Sequence, residues 1–167
     1  MGCLGVHFSL SEDVVQTIRS IEDEAERAAW VREDLEDEYF DEHRDWLAPS
    51  AKAWDAMHRA LADGQLAWGG GEYPLNHVVL GGEMMYTPSD YIMMLKTPQQ
   101  VRDVAAALPA ITEDDFRKRY FAIDAASYGC PLTDDDFGYT WDAFQRVRDF
   151  WLRAATEGRY VLFTADQ

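Results

Sequence analysis

The alternation of short apolar segments with long amphipathic stretches most restricts how this 167-residue chain can fold. Four runs of apolar residues, each short enough for one strand, are separated by longer segments with helical periodicity. The runs are Cys3–Phe8, Leu75–Leu80, Tyr91–Leu95 and Tyr160–Phe163. This pattern predicts an α+β fold in which a small, mostly antiparallel or mixed sheet of about four strands packs against several amphipathic helices. From the length, we expect one domain over residues 1–167.

Capping residues and apolar periodicity together locate the helices. The strongest start signal is Thr97, Pro98 and Gln100, which combine an N-cap, a proline at the first helical position and the third-position glutamine of a capping box. The predicted helices follow Ser11, run from about Glu22 to Phe40, lie between Ser50 and Gly64, follow Thr97, follow Thr112, and run from about Trp141 to Glu157.

The chain is strongly acidic, with 31 Asp and Glu against 15 Lys and Arg and a formal net charge of −16. Such a surface repels phosphate groups and anionic lipids over about 8 Å at physiological salt. Nucleic-acid and membrane partners are therefore disfavoured.

The acids are concentrated near the N-terminus. Residues 11–45 contain 14 acids and four arginines, so this stretch alone carries a charge of −10. One interpretation is that the helical face of residues 22–45 binds a basic protein partner. The other is a solvated helix surface, which is what charge runs usually form. The sequence gives no indication of the oligomeric state.

The two cysteines, Cys3 and Cys130, are too few and too far apart for a metal or redox motif. No apolar signal stretch precedes the first predicted strand, and no run approaches the roughly 18 apolar residues of a membrane span. We therefore expect a reduced, cytoplasmic protein.

The helix around His58 holds the first candidate site residues. Asp55 and His58 are three residues apart, and Trp54 and His58 are four apart, so both pairs can touch on one helix face. Asp55 could orient His58 as a general base, or both could bind a metal ion. Alternatively, His58 packs beside Trp54 while Asp55 pairs with Arg59 or Lys52.

The second candidate segment is the predicted strand that contains His77. Gly81 and Gly82 follow it and permit either a positive φ or a close backbone approach. Glu83 comes directly after them and could form an acid/base couple with His77 or His58, or complete a metal site with Asp55. The alternative is a tight turn followed by an exposed glutamate.

A glycine-rich loop between these segments carries two aromatic residues, Trp68 and Tyr73, which could line the mouth of a ligand site together with Trp54, Gly81 and Gly82. Such aromatics more often fold back on the core. No spacing in the chain matches a nucleophile elbow, a zinc-binding helix, a phosphate-binding loop or a calcium loop, so the sequence specifies neither a metal site nor a cofactor.

Several segments in the same order resemble the YfbM-like family of small bacterial proteins, a domain of unknown function. They are the opening Met1–Phe8, the helix Lys52–His58, the segment Pro74–Glu83 and the helix start Leu95–Val101. The similarity extends over essentially the whole chain. It implies a bacterial, cytoplasmic α+β domain, and it implies no activity.

Two functions remain open at this stage. The preferred one is a noncatalytic binding or interaction protein that acts on a protein or small-molecule partner, because acid/base enzymes normally show a denser group of polar residues. The alternative is a small hydrolase-like or metal-assisted enzyme that uses His58, His77, Asp55 and Glu83. The enzyme requires those four side chains to converge in an open pocket.

Overall fold

Residues 3–167 are described by a computed structural model; Met1 and Gly2, which open the first segment of the resemblance, lie outside the described residues. The sheet has five strands, β1 (Gly5–Leu10), β2 (Leu47–Ala51), β3 (Glu83–Met84), β4 (Tyr91–Lys96) and β5 (Tyr160–Asp166). Their spatial order is β2-β1-β5-β4-β3, and every neighbouring pair is antiparallel. The predicted α+β class is confirmed.

The helices occupy most of the remaining chain. They are α1 (Glu12–Ser20), α2 (Glu24–Trp30), α3 (Glu36–Glu42), α4 (Ala53–Leu61), α5 (Pro98–Ala107), α6 (Glu113–Phe121), α7 (Ala125–Tyr128) and α8 (Asp134–Thr156). Short 3₁₀ segments lie at Arg44–Trp46, Leu75–His77 and Leu108–Ala110.

Helices cover both faces of the sheet, which gives two hydrophobic cores. In the first core, α4, α5, α6 and α8 pack on the face that carries Ile92, Met94 and Phe163. In the second core, α1, α2 and α3 pack on the face that carries Phe8 and Met93. Because both faces are covered, every residue of β1 and β4 is buried. These strands therefore appear in the sequence as continuous apolar runs, without alternation.

The predicted helix starts are confirmed where capping chemistry supplies them. Ser11 caps α1, and Thr97 caps α5 in a full capping box with Gln100. Thr112 caps α6 in the same way, with Asp115 as the reciprocal partner. The last long helix begins earlier than expected, because Thr133 accepts a hydrogen bond from the backbone N–H of Asp136 and caps α8.

The predicted helix over residues 22–40 is interrupted by a π-helical segment. Residues Val31–Leu35 are π-helical and join α2 directly to α3. Val31 and Leu35 are both buried in the second core. Val31 and Leu35 therefore face the same layer from the two ends of the π-helical segment.

The prediction of a strand at Leu75–Leu80 was wrong. Leu75–His77 forms a 3₁₀ turn, and the following turn buries Val78, Val79 and Leu80 in the first core. An apolar run of this length is compatible with either structure, and here the packing decides.

Strand β2 is not among the predicted elements, and Ser50, which was expected to cap the helix that contains Trp54, belongs to this strand. Ser50 lies in β2, where its hydroxyl donates to the Gly5 carbonyl (3.2 Å), and Lys52 occupies the N-cap of α4 without a side-chain bond. Pro49 is exposed in this edge strand, a position where proline is tolerated.

Candidate functional site

His58 lies inside the first core. Only 1% of the residue is exposed, and Nε2–H points at the Ala67 carbonyl oxygen at 3.4 Å. Its Nδ1 has no hydrogen-bond partner among residues 3–167. Burial lowers the pKa of His58 to about 4, so the ring is neutral at neutral pH.

His77 is half-buried and packs over Gly81. Its Nδ1–H donates to the Asn76 side-chain oxygen (2.7 Å), and its ring meets Tyr73 edge-on at 4.9 Å. A Cβ on Gly81 would lie 2.4 Å from Nδ1 of His77 and 2.6 Å from the Asn76 carbonyl oxygen. Gly81 is therefore required by close packing.

Gly82 combines the two properties expected of this glycine pair. Its φ is +123°, and a Cβ there would lie 2.5 Å from the Leu95 carbonyl oxygen. The residue thus turns the chain closely against β4 and leads into β3.

Asp55 and Glu83 have ionic partners in different parts of the molecule. Glu83 pairs with Arg19 of α1 at 2.9 Å, with both side chains about half exposed. Asp55 pairs with Arg59 one turn later on α4 at 2.5 Å, and Arg59 also donates to Ser127 Oγ at 2.8 Å. Arg59 thereby joins α4 to α7.

The structure brings together a set of basic side chains that the sequence interpretation missed. His7 of β1 and Lys96 of β4 are both 0% exposed and lie on the first-core face of the sheet. His7 Nε2–H donates to the Val78 carbonyl at 2.6 Å. Lys96 Nζ donates to the Val79 carbonyl and, at 3.4 Å, to that of Met94. We call His7 and Lys96 the buried basic pair.

The ring of Phe163 on β5 lies at the centre of this region. It is 4.8 Å from the His7 ring, 5.7 Å from the Trp54 ring and 5.6 Å from Lys96 Nζ. A Cβ added to Gly5 would meet the same Phe163 ring at 3.0 Å. Segments that carry the family resemblance therefore converge on one part of the first core.

The buried basic pair has no carboxylate among its hydrogen-bond partners in residues 3–167. Burial holds the pKa of Lys96 well below its usual value. Burial, followed by the effect of Lys96, lowers the pKa of His7 to about 3. Burial and then Lys96 also lower the pKa of His77. Lys96 thus disfavours the charged forms of both histidines, and the hydrogen bonds of His7 and Lys96 tie the turn at Val78 and Val79 to the sheet.

A signal for this pair was present in the sequence. His7 and Lys96 are titratable residues inside or at the end of otherwise apolar runs. A polar residue buried in such a strand needs a hydrogen-bond partner. The partners are backbone carbonyls from a distant turn, which a sequence pattern does not reveal.

An open cleft of about 560 Å³ lies where the start of β1 and the end of β5 meet α4 and α8. Its walls include Lys52, Trp54, Asp55, Tyr128, Asp136 and Tyr139. We call it the Tyr139 cleft. Two of the predicted site residues, Trp54 and Asp55, therefore line one cavity. The two tyrosines and Asp136 are not among the site residues predicted from the sequence.

The other predicted ligand-binding aromatics lie elsewhere. Trp68, which is 49% exposed, lines a smaller pocket of about 210 Å³ beside Met84 and Tyr86. Tyr73 donates a hydrogen bond from its hydroxyl to Asp103 at 2.5 Å. Both side chains remain on the surface.

Two arginines of the acidic N-terminal helices, Arg27 and Arg32, turn toward the protein, whereas Arg44 is exposed and donates to the Phe40 carbonyl at 2.7 Å. Arg27 donates to the carbonyls of Ile21 and Met85, at 2.7–3.0 Å. Arg32 stacks on the Tyr91 ring at 4.0 Å and lies near Asp90 at 3.4 Å. The charges of both arginines are used in internal contacts.

The acids of the same helices point outward. Those that are exposed and have no ion pair within residues 3–167 form what we call the acidic face: Glu22, Asp23, Glu26, Glu33, Asp34, Asp37, Asp41, Glu42 and Asp45. Glu36 differs, because it accepts hydrogen bonds from Tyr91 (2.7 Å) and Thr164 (2.9 Å).

No group of three or more His, Cys, Asp or Glu side chains within residues 3–167 could hold a metal ion. Over the same residues, none of the helices is both long and apolar enough to span a bilayer.

Comparison with known proteins places the chain in a family. The family model described as "Domain of unknown function (DUF1877)" matches residues 1–164, so the chain belongs to that family. The fold is similar to that of the solved protein described as "a Protein of Unknown Function YfbM from Escherichia coli". The TM-score is 0.64 at 18% identity, over 97% of this chain and 99% of that one. The YfbM-like resemblance is thereby confirmed. No curated protein matches the sequence.

Proposed function

We propose that this chain is a noncatalytic binding module whose acidic face engages a basic protein partner. The observation that carries the proposal is the separation of charge in the N-terminal helices. Arg27 and Arg32 make internal contacts, whereas the acids of the acidic face are exposed and unpaired. A partner therefore meets a surface of nearly one sign.

The spacing of the acids suits an extended contact. Glu33, Asp37 and Asp41 follow one another at four-residue intervals along the π segment and α3. Residues four apart in a helix lie on one face, about 6 Å apart along the axis. Adjacent like charges on a low-dielectric body produce a field that attracts a basic surface and increases the association rate.

The contacts of the four residues in the enzyme hypothesis give that alternative less support. His58 is enclosed in the first core, whereas Asp55 and Glu83 pair with different arginines. His77 contacts Asn76 and Tyr73.

The experiment compares two double variants with the same net charge. Glu33→Lys/Asp37→Lys alters the acidic face, and Asp142→Lys/Asp149→Lys alters exposed acids of α8. Each raises the net charge by four, from −16 to −12. Glu36 is left unchanged, because its hydrogen bonds to Tyr91 and Thr164 would confound the result.

The probe is an immobilised helical peptide with lysine at every fourth position, and the readout is affinity at low and physiological salt. We expect the face variant to lose at least about tenfold in affinity and the α8 variant to lose less than about twofold. Equal losses in the two variants would show that only total charge matters, and an unaffected face variant would contradict the proposal directly.

A further inference from the structure

We propose that the Tyr139 cleft binds a small organic cation, with an ammonium or guanidinium group carried on an aromatic or apolar body. The cavity of about 560 Å³ is large enough for such a molecule. This site is separate from the acidic face, and the inference does not rest on the binding function proposed there.

The cleft offers two carboxylates that are fixed in place but only partly used. Asp136 receives hydrogen bonds from the hydroxyls of Tyr120 (2.5 Å) and Tyr128 (3.0 Å), both at Oδ2. Asp55 receives Arg59 at Oδ1. Within residues 3–167, no donor bonds Asp136 Oδ1 or Asp55 Oδ2. Each carboxylate therefore keeps one oxygen for a donor on a ligand.

Three other residues of the cleft wall are aromatic: Trp54, Tyr128 and Tyr139. Tyr139 is 46% exposed, and its hydroxyl accepts a hydrogen bond from the Lys52 backbone N–H at 3.3 Å, which spans from α8 to the start of α4. Trp54 is only 2% exposed. Aromatic faces beside carboxylates suit a cation with an apolar body, because the ring quadrupole and the carboxylate attract the same charge.

The charge of the surroundings favours a cation over an anion. The Arg59 guanidinium is occupied by Asp55 and Ser127 and lies 5.6 Å from the Tyr128 ring centre. Lys52 is exposed and free to extend into water. The whole chain carries −16, which enriches cations near any open cleft.

The two cysteines provide a readout that is specific to this site. Cys3 and Cys130 are the only cysteines of the chain, both are free, and both line the cleft. An occupant should slow their alkylation. A cation held on the acidic face should leave their alkylation unchanged.

The experiment measures iodoacetamide labelling of each cysteine by mass spectrometry, with two charged probes and their neutral counterparts. Tyramine is compared with tyrosol, and benzamidine with benzamide. We expect at least one cation to slow labelling of Cys130 by about threefold or more at concentrations up to about 10 mM, and its neutral counterpart to have no effect.

Variants of the cleft residues test whether the cation binds at the two carboxylates. Asp136→Asn and Asp55→Asn should each raise the concentration needed for protection by about tenfold, whereas Glu33→Lys/Asp37→Lys should leave it unchanged. Far-UV circular dichroism checks that each variant is folded, and having two cleft variants keeps the test valid if one is not. Equal protection by charged and neutral probes, no protection by either cation, or loss of protection only in the acidic-face variant would each overturn the proposal.

Discussion

Lys96 and His7 donate to the carbonyl oxygens of two consecutive residues, Val79 and Val78, although they lie on different strands. Their strands, β4 and β1, are the two neighbours of β5. Phe163 of β5 lies beside both side chains. A turn far away in sequence is thus held against the sheet by two bases and no acid.

Lys96→Met should flatten the dependence of stability on pH in the alkaline range. The unfolded chain holds a proton on Lys96 up to about pH 10.5, whereas the folded chain loses it at a lower pH because the pKa is lowered by burial. The unfolded state therefore binds more protons in that window, and the free energy of unfolding rises with pH by up to about 1.4 kcal/mol per pH unit.

Urea denaturation of both proteins between about pH 7 and pH 9.5 measures the difference. Lys118→Met, at an exposed lysine of α6, is the matched control and should follow the original protein. Parallel curves for the original protein and Lys96→Met would mean that Lys96 keeps its proton in the core.

His58→Met should reduce the loss of stability in acid. The unfolded chain protonates this histidine below its ordinary pKa of 6.5, and the folded chain only below about 4. Stability from this group is therefore complete above about pH 6.5 and falls as the pH drops toward about 4, by up to about 1.4 kcal/mol per pH unit. Thermal unfolding at pH 5 and pH 7 tests this, with the more exposed His43→Gln as control. If His58→Met loses as much stability between the two pH values as the original protein does, the buried ring gains its proton over the same pH range in the folded and the unfolded chain.

Two glycine-to-alanine changes should alter the free energy of unfolding in opposite directions. Gly81→Ala places a methyl group 2.4 Å from Nδ1 of His77 and should cost about 1–3 kcal/mol. Gly138→Ala lies in α8 with nothing within 4 Å of the new methyl group, and it should stabilise by about 0.5–1 kcal/mol. Chemical denaturation reports both. A neutral Gly81→Ala would show that the His77 ring moves aside at little cost.

Thr97→Ala should destabilise the protein by about 1 kcal/mol, because it removes the acceptor for the Gln100 N–H and opens the capping box. Thr156→Ala, near the end of α8, removes only a bond to the Leu152 carbonyl and should change the free energy of unfolding little. The denaturation midpoints of the two variants test this prediction. Equal midpoints would show that the Thr97 cap does not stabilise the protein.

The sequence predicted elements wherever local chemistry determines them. Thr97 and Thr112 began helices as expected, and the apolar runs at β1, β4 and β5 are strands. The sequence-based prediction failed where contacts between residues far apart in the chain determine the secondary structure. Leu47–Ala51 has alanine, proline and serine, which have weak strand preference, and it is a strand because it pairs with β1.

For the candidate site, the same limit applies. The sequence singles out Trp54 and Asp55 beside His58, whereas the other residues that line the Tyr139 cleft with them lie far away along the chain. Cys3, Tyr139 and Gln167 share a wall of the cleft through folding alone. No local spacing connects Asp55 with Asp136, so their proximity was beyond sequence reasoning.

The burial of both sheet faces has a consequence for how the strands find their partners. In a sheet with one solvent-exposed face, a one-residue shift in the pairing of a strand is unfavourable because it exposes apolar side chains to water. Here such a shift in β1 or β4 would move each side chain from one hydrophobic core to the other, so the apolar residues would stay buried. It would, however, carry His7 or Lys96 into the second core, away from the carbonyls of Val78 and Val79. The two polar residues therefore determine the strand register, because each keeps its hydrogen bonds when buried in only one alignment of the strands.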